Sequence, residues 1–131
     1  MTGLDTNVLV RYFVADDPQQ SLVAKRLMAT LSSEEAGWLG VVVLAELVWT
    51  LKYAYRFPRA ALGNIVEHLL SSKDVVIEQE NLVREALLIY RKSGADYPDC
   101  LIAASARAAG CSKTVTFDRI AARDAGMELI S

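Results

Sequence analysis

Apolar and polar positions alternate along this chain in two periods, and their order predicts the architecture. Leu4 and the segment Val8 to Val14 are apolar around an Asp-Thr-Asn step, so a short buried strand is expected to deliver Asp5 to a strand-to-helix turn. Asp17 followed by Pro18 has the form of a helix N-cap and first-turn proline, and Leu22, Val23, Leu27 and Leu31 follow at helical spacing. Trp38 to Val41 predicts a second buried strand. Val43, Leu44, Leu47, Val48 and Leu51 then recur with helical period, with Glu46 inside that helix. Pro58 opens a further helix with Leu62, Ile65, Val66, Leu69 and Leu70 on one face, ended by Ser71 and Ser72.

Val75 to Ile77 predicts a third strand and Leu82 to Tyr90 a helix closed by Gly94. An Ala-rich helix runs from Pro98 to Gly110. Thr114 to Phe117 predicts a strand, Asp118 to Asp124 a short helix, and Met127 to Ile130 a last strand. Strands alternating with helices, and strands apolar on both faces, imply an α/β protein: a three-layer α/β/α sandwich with a central, mainly parallel sheet. With 131 residues and no linker or repeat, one domain over 1–131 is expected.

Composition narrows the class. At 53% apolar and 23% charged residues the chain suits a packed core and excludes a disordered one. A mean hydropathy of +0.23 is high enough to expect a face covered by a partner, a dimer being the simplest case. The charge-free run Ala36 to Ala45 is too short for a membrane span, and the N-terminus lacks a secretory pattern, so a cytoplasmic setting is expected. Cys100 and Cys111 read as small core residues rather than a disulfide. A net charge of -2 and a pI of about 5.4 exclude nucleic-acid binding by overall positive charge, leaving a local patch as the means.

In an open parallel sheet, ligands bind outside the carboxyl ends of strands, which is where Asp5 and Asp118 fall. Each is also explained as an N-cap. Glu46 stands alone among apolar residues from Leu39 to Leu51, on a helix expected to be largely buried, where an unpaired carboxylate is costly and implies a cation, the alternative being a narrow exposed stripe or a pairing with Lys52 or an Arg of another segment. Asp96 and Asp99 flank Tyr97-Pro98 at the next helix start, where Asp96 can serve as the cap. Several carboxylates in one crevice repel, each pair at 4 Å by about 4 kcal/mol at an effective dielectric near 20. A positive charge must offset this. With only oxygen donors and no Cys or His cluster, Mg²⁺ or Mn²⁺ is favoured over zinc, and such an ion suits the in-line displacement of a phosphodiester.

Four segments, Gly3-Leu4-Asp5-Thr6-Asn7-Val8-Leu9, Leu44-Ala45-Glu46-Leu47, Asp96-Tyr97-Pro98-Asp99-Cys100-Leu101-Ile102-Ala103-Ala104 and Thr116-Phe117-Asp118-Arg119, resemble in order the acidic motifs of PIN-domain nucleases, specifically the VapC-type toxins. The resemblance implies that Asp5, Glu46, Asp99 and Asp118 are the metal-site and catalytic acids, with Asp96 a supporting acid. It implies that Thr6 and Thr116 orient acids or bound water, with Asn7 a polar neighbour of Asp5. It further implies a metal-dependent endoribonuclease, an RNA substrate, a homodimer and a cognate VapB-type antitoxin that covers the site.

Other candidates read as ordinary structure. His68 is the only histidine and lies far in sequence from every acid, which suits a surface or helix C-terminal role. Trp38, Trp49, Tyr53 and Tyr55 could stack on bases, with core or dimer packing the simpler expectation. Arg11, Lys52, Arg56, Arg119 and Arg123 could contact RNA or be solvated charges. A phospho-receiver domain would need an Asp at the end of a central strand, where Asp74 instead precedes its strand, and a Lys after a late strand, which is absent, and a haloacid-dehalogenase-type phosphatase would need an acid where Asn7 stands. A PIN-like scaffold that binds without cutting is disfavoured by the presence of all four acids.

Overall fold

A computed structural model, describing residues 1–131, divides the chain into two compact units, Met1–Glu78 and Gln79–Ser131. Every strand pairing in both units is parallel, and helices separate the strands, as an α/β chain of this pattern requires.

The first unit runs β1 (Thr2–Gly3), α1 (Thr6–Phe13), α2 (Pro18–Thr30), β2 (Gly37–Leu39), α3 (Val41–Tyr53), α4 (Arg59–Ser71) and β3 (Val75–Ile77). Its sheet has the order β1-β2-β3, with Gly3 beside Trp38, Trp38 beside Val76, and Leu39 beside Ile77. Gly37 permits this pairing to close over the core. A Cβ at that position would lie 2.8 Å from Leu4 Cδ1 and 2.9 Å from Leu31 Cδ1. In β2 and β3 burial alternates, so that Leu39, Val75 and Ile77 are covered while the register partners Trp38 and Val76 remain 37% and 44% exposed. The parallel sheet of an α/β/α arrangement is the one expected, with Trp38 and Val76 left partly exposed on it. Period-2 alternation was hidden in the sequence because the outward residues are themselves apolar.

The second strand ends at Leu39, two residues short of the expected Val41, because the helix takes over at once. Leu44 N–H donates to Gly40 O, and Val41 N–H donates to the Glu78 carboxylate at 2.9 Å. Glu78 also donates its own N–H to Leu39 O, so one residue pairs the strands and caps the next helix. Leu44, Leu47, Val48 and Leu51 line the buried side of α3, and each fully buried leucine contributes about 1.5–3 kcal/mol by leaving water. Asp17 caps α2 as expected, accepting from Gln20 N–H at 3.1 Å, with Pro18 in the first turn.

The second unit runs α5 (Glu80–Lys92), α6 (Tyr97–Ala108), β4 (Val115–Thr116), α7 (Arg119–Asp124) and β5 (Glu128–Leu129), with β4 and β5 paired in parallel. Leu82, Val83, Ala86, Leu87 and Tyr90 of α5, and Tyr97, Cys100, Leu101, Ala103 and Ala104 of α6, are all buried. Tyr97 ties the two helices: its hydroxyl donates to Val83 O at 3.0 Å, and its ring meets Tyr90 edge to face at 5.7 Å. The turn that closes α6 reaches Gly110, whose φ of +93° suits a residue without a side chain. Cys100 is buried as expected, whereas Cys111, just beyond that turn, is exposed and is no core residue. Both are free thiols.

Candidate active-site acids

Asp5 follows β1 and is the N-cap of α1, so the strand-to-helix turn expected from the sequence is present. Its Oδ1 accepts the Thr6 N–H at 2.7 Å. The Thr6 hydroxyl in turn donates to Glu46 Oε2 at 3.4 Å. Within the first unit, the end of β1 and the second turn of α3 thus bring Asp5, Thr6 and Glu46 to one place. Asn7, next in α1, is exposed there.

The environment of Glu46 differs from the one expected. The carboxylate is exposed, on an α3 stripe that also carries Val42, Trp49 and Tyr53, which are 70%, 56% and 52% exposed. Burial therefore does not require a cation at Glu46. The exposed stripe, the alternative to a largely buried helix, is the one present, because α3 has apolar residues on both its covered and its open side. Trp49 and Tyr53 are likewise surface residues rather than core, their rings tilted at 5.3 Å, with Lys52 Nζ 4.9 Å from the Tyr53 ring. Trp38 stands on the open sheet face. Tyr55 is the exception, half-buried in a polar network.

In the second unit, Asp118 is the N-cap of α7, and its Oδ1 accepts from Ile120 N–H at 2.8 Å and Ala121 N–H at 3.0 Å. Thr116 Oγ1 accepts the Asp118 N–H at 3.0 Å, which fixes the turn. Asp96 occupies the N-cap position of α6 without a side-chain capping bond, and Asp99 lies in the first turn; both are half-buried. The structure thus pairs Thr6 with Glu46 and Thr116 with Asp118. Within neither unit do three or more His, Cys, Asp or Glu side chains gather to hold a metal ion.

The basic candidates separate by partner. Arg11 donates to Asp16 Oδ1 at 2.9 Å, to Gln20 Oε1 at 2.8 Å and to the Tyr55 hydroxyl at 3.3 Å, so it joins α1, α2 and the segment after α3. The Tyr55 hydroxyl donates to Asp16 Oδ2 at 2.8 Å. This bond, with Arg11 beside it, holds the Asp16 carboxyl below its ordinary range. Arg123 is engaged by the adjacent Asp124 through two bonds of 2.9 Å. Arg56 is exposed with a φ of +58°. His68 is exposed in the last turn of α4, as expected.

Arginines are thus spent on Asp16, Glu80, Glu85 and Asp124, while Asp5, Glu46 and Asp118 have no basic side chain paired with them. Accessible carboxylates left without an internal cation, in company with hydroxyls and with no thiolate or imidazole, have the donor chemistry of a hard divalent ion. Two features escaped the sequence reading: the Glu78 cap on α3, which pattern cannot reveal because the partner is 37 residues away, and the exposure of Phe117 beside Asp118.

The chain is similar to known proteins over most of its length. The PIN domain family model matches residues 4–126, a span that includes every one of these acids. A VapC ribonuclease of Aquifex aeolicus (strain VF5) is 26% identical over 119 residues, covering 91% of this chain and 88% of the relative.

Proposed function

Because the chain belongs to the PIN-domain family, we propose that it is a metal-dependent endoribonuclease of the VapC type, the toxin of a toxin–antitoxin pair. The observation that carries this reading is the linkage of Asp5 and Glu46 through Thr6, at the acids of the first two motifs and with no basic side chain to neutralise them. In this reading residues 1–131 act as one PIN-like nuclease domain, and the family match runs without a break across the boundary between the two compact units.

Asp5, Glu46, Asp99 and Asp118 would hold Mg²⁺ or Mn²⁺, with Asp96 in support. When bound, the ion supplies an activated water and stabilises the charge that builds on a phosphodiester under in-line attack. The chain's own residues do the preparing. Thr6 spaces the two acids of the first unit, its amide engaging one oxygen of Asp5 and its hydroxyl one oxygen of Glu46, which leaves each acid a second oxygen for the ion. Thr116 holds the backbone at Asp118, and that carboxylate keeps Oδ2 clear while Oδ1 takes two amides. Asn7 is an exposed polar side chain beside Asp5 that would bond bound water.

RNA is the proposed substrate, with Arg119 and Lys52 as contacts for its backbone. Arg11 fits that role poorly, since its guanidinium is occupied by Asp16, Gln20 and Tyr55. The exposed apolar stripe of α3 supports a covering protein, for which a second copy of the chain and a VapB-type antitoxin are the proposed occupants. No helix is long and apolar enough to cross a membrane, which is compatible with the proposed cytoplasmic setting.

The test is cleavage of a structured RNA pool by the purified protein in Mg²⁺ or Mn²⁺, beside EDTA and Asp5→Asn controls. Cutting that requires the ion and disappears in the variant supports the proposal. A folded, antitoxin-free protein that binds no divalent ion would overturn it.

A further inference from the structure

Phe117 is the most exposed large hydrophobic side chain in the protein, at 76%. It sits between Thr116 and Asp118, and both neighbours are tied down. Thr116 O accepts Ile130 N–H at 2.9 Å, its Oγ1 accepts Asp118 N–H at 3.0 Å, and the Asp118 carboxylate holds two amides of α7. The backbone on either side of Phe117 is therefore fixed while its ring stands in water. Burying a phenylalanine stabilises a fold, and here that contribution is not taken up. Arg119, the next exposed residue after Asp118, makes no ion pair, unlike Arg107 and Arg123 of the same unit.

An aromatic face, a carboxylate and an uncommitted guanidinium thus follow one another at a single rigid turn. We infer that Phe117 is a base-stacking residue that takes an unpaired nucleotide next to the phosphodiester served by Asp118, with Arg119 on the adjoining phosphate. The inference rests on the ribonuclease reading for its substrate. Stacking uses the π face that every base presents, and Arg supplies the backbone charge, so the pair selects single-stranded RNA over duplex, whose bases are not available to a lone ring. A protein partner would be satisfied by any apolar side chain at this position; a base requires an aromatic one.

The experiment measures binding of a short fluorescein-labelled single-stranded RNA in EDTA by anisotropy, so that no cleavage enters. It compares wild type with Phe117→Leu, Phe117→Ala and Phe117→Trp. Loss of affinity of roughly 5- to 100-fold is expected in the leucine and alanine variants, with the tryptophan variant at or above wild type. A scan of single abasic sites is then expected to find one position that weakens wild type by the same factor and Phe117→Ala no further. Leucine binding as well as phenylalanine, or an abasic scan without that coupling, would overturn the inference. So would unchanged RNA affinity in Phe117→Ala together with a smaller sedimenting mass, which would assign the ring to a protein interface, or a wild type that binds no RNA at all. Because the readout needs no metal, stacking can be found even where cleavage in Mg²⁺ or Mn²⁺ fails, which separates the two proposals.

Discussion

The Thr6 hydroxyl donates to Glu46 Oε2 at 3.4 Å across 40 residues of chain, while the amide of the same residue donates to Asp5. One residue, through its amide and its hydroxyl, therefore links two acids on different elements. Replacing it by valine keeps the β-branched shape and removes only the hydroxyl. We expect Thr6→Val to bind Mn²⁺ roughly 2- to 10-fold more weakly, the equivalent of one hydrogen bond, and Thr6→Ser to recover most of that loss. Calorimetric titration of the three proteins is the check.

Glu46 lies on the exposed stripe of α3, so removing its charge disturbs no packing. Glu46→Gln is expected to leave the unfolding free energy within about 0.5 kcal/mol of wild type while RNA cleavage falls at least tenfold. A urea melt beside a cleavage assay distinguishes this from the buried environment that the apolar run suggested, in which the substitution would move stability first.

Gly37 has no room for a methyl group, because its Cβ would meet Leu4 and Leu31 at 2.8 and 2.9 Å. Both contacts are side-chain ends, so the core can shift in part. Gly37→Ala is expected to cost about 1–3 kcal/mol, typical of overpacking, measured as a lower urea midpoint at unchanged slope.

The Tyr55 hydroxyl, and after it Arg11, hold the Asp16 carboxyl below its ordinary range. A group with a depressed folded pKa contributes stability that is present above the unfolded value, about 4, and is lost as pH falls through the folded one. Wild type is thus expected to lose its advantage over Asp16→Asn as the solution is taken from neutral pH to below about pH 4. Urea midpoints of the two proteins across that range should converge in acid.

Tyr97 is buried, and that burial pushes its phenol far above the ordinary tyrosine range. Its one polar contact inside the core is the bond to Val83 O. Tyr97→Phe is expected to cost about 0.5–1.5 kcal/mol and Tyr97→Ala about 3–5 kcal/mol, because only the latter empties the space beside Tyr90. Thermal unfolding of the two variants gives the comparison.

Much of this was legible in the amino-acid order, for physical reasons that differ by residue. Asp17-Pro18 and Gly110 act through local backbone geometry, so their roles as cap and terminator could be read in place. Asp5 and Asp118 were legible as acids at strand ends, and both are also the caps that the plainer explanation required. What pattern could not supply was direction. Between Leu39 and Tyr53 the outward facing of Val42, Trp49 and Tyr53 is marked only by Glu46 on the same stripe, because the signal of burial is apolarity and these are apolar. Long-range partners were equally hidden: neither the Thr6–Glu46 bond nor the Glu78 cap leaves a trace in local spacing.

The Glu78 cap has a bearing on the order in which the chain becomes competent during synthesis. Asp5, Thr6 and Glu46 have all been made once residue 46 of 131 has been added. The helix that carries Glu46, however, has its first amide secured by a side chain 37 residues further on, from a strand that also closes the edge of β2. A nascent chain stopped before Val75 has the acids but lacks both the pairing strand and the cap. The N-terminus of the helix that carries Glu46 is therefore fully capped only in the finished first unit.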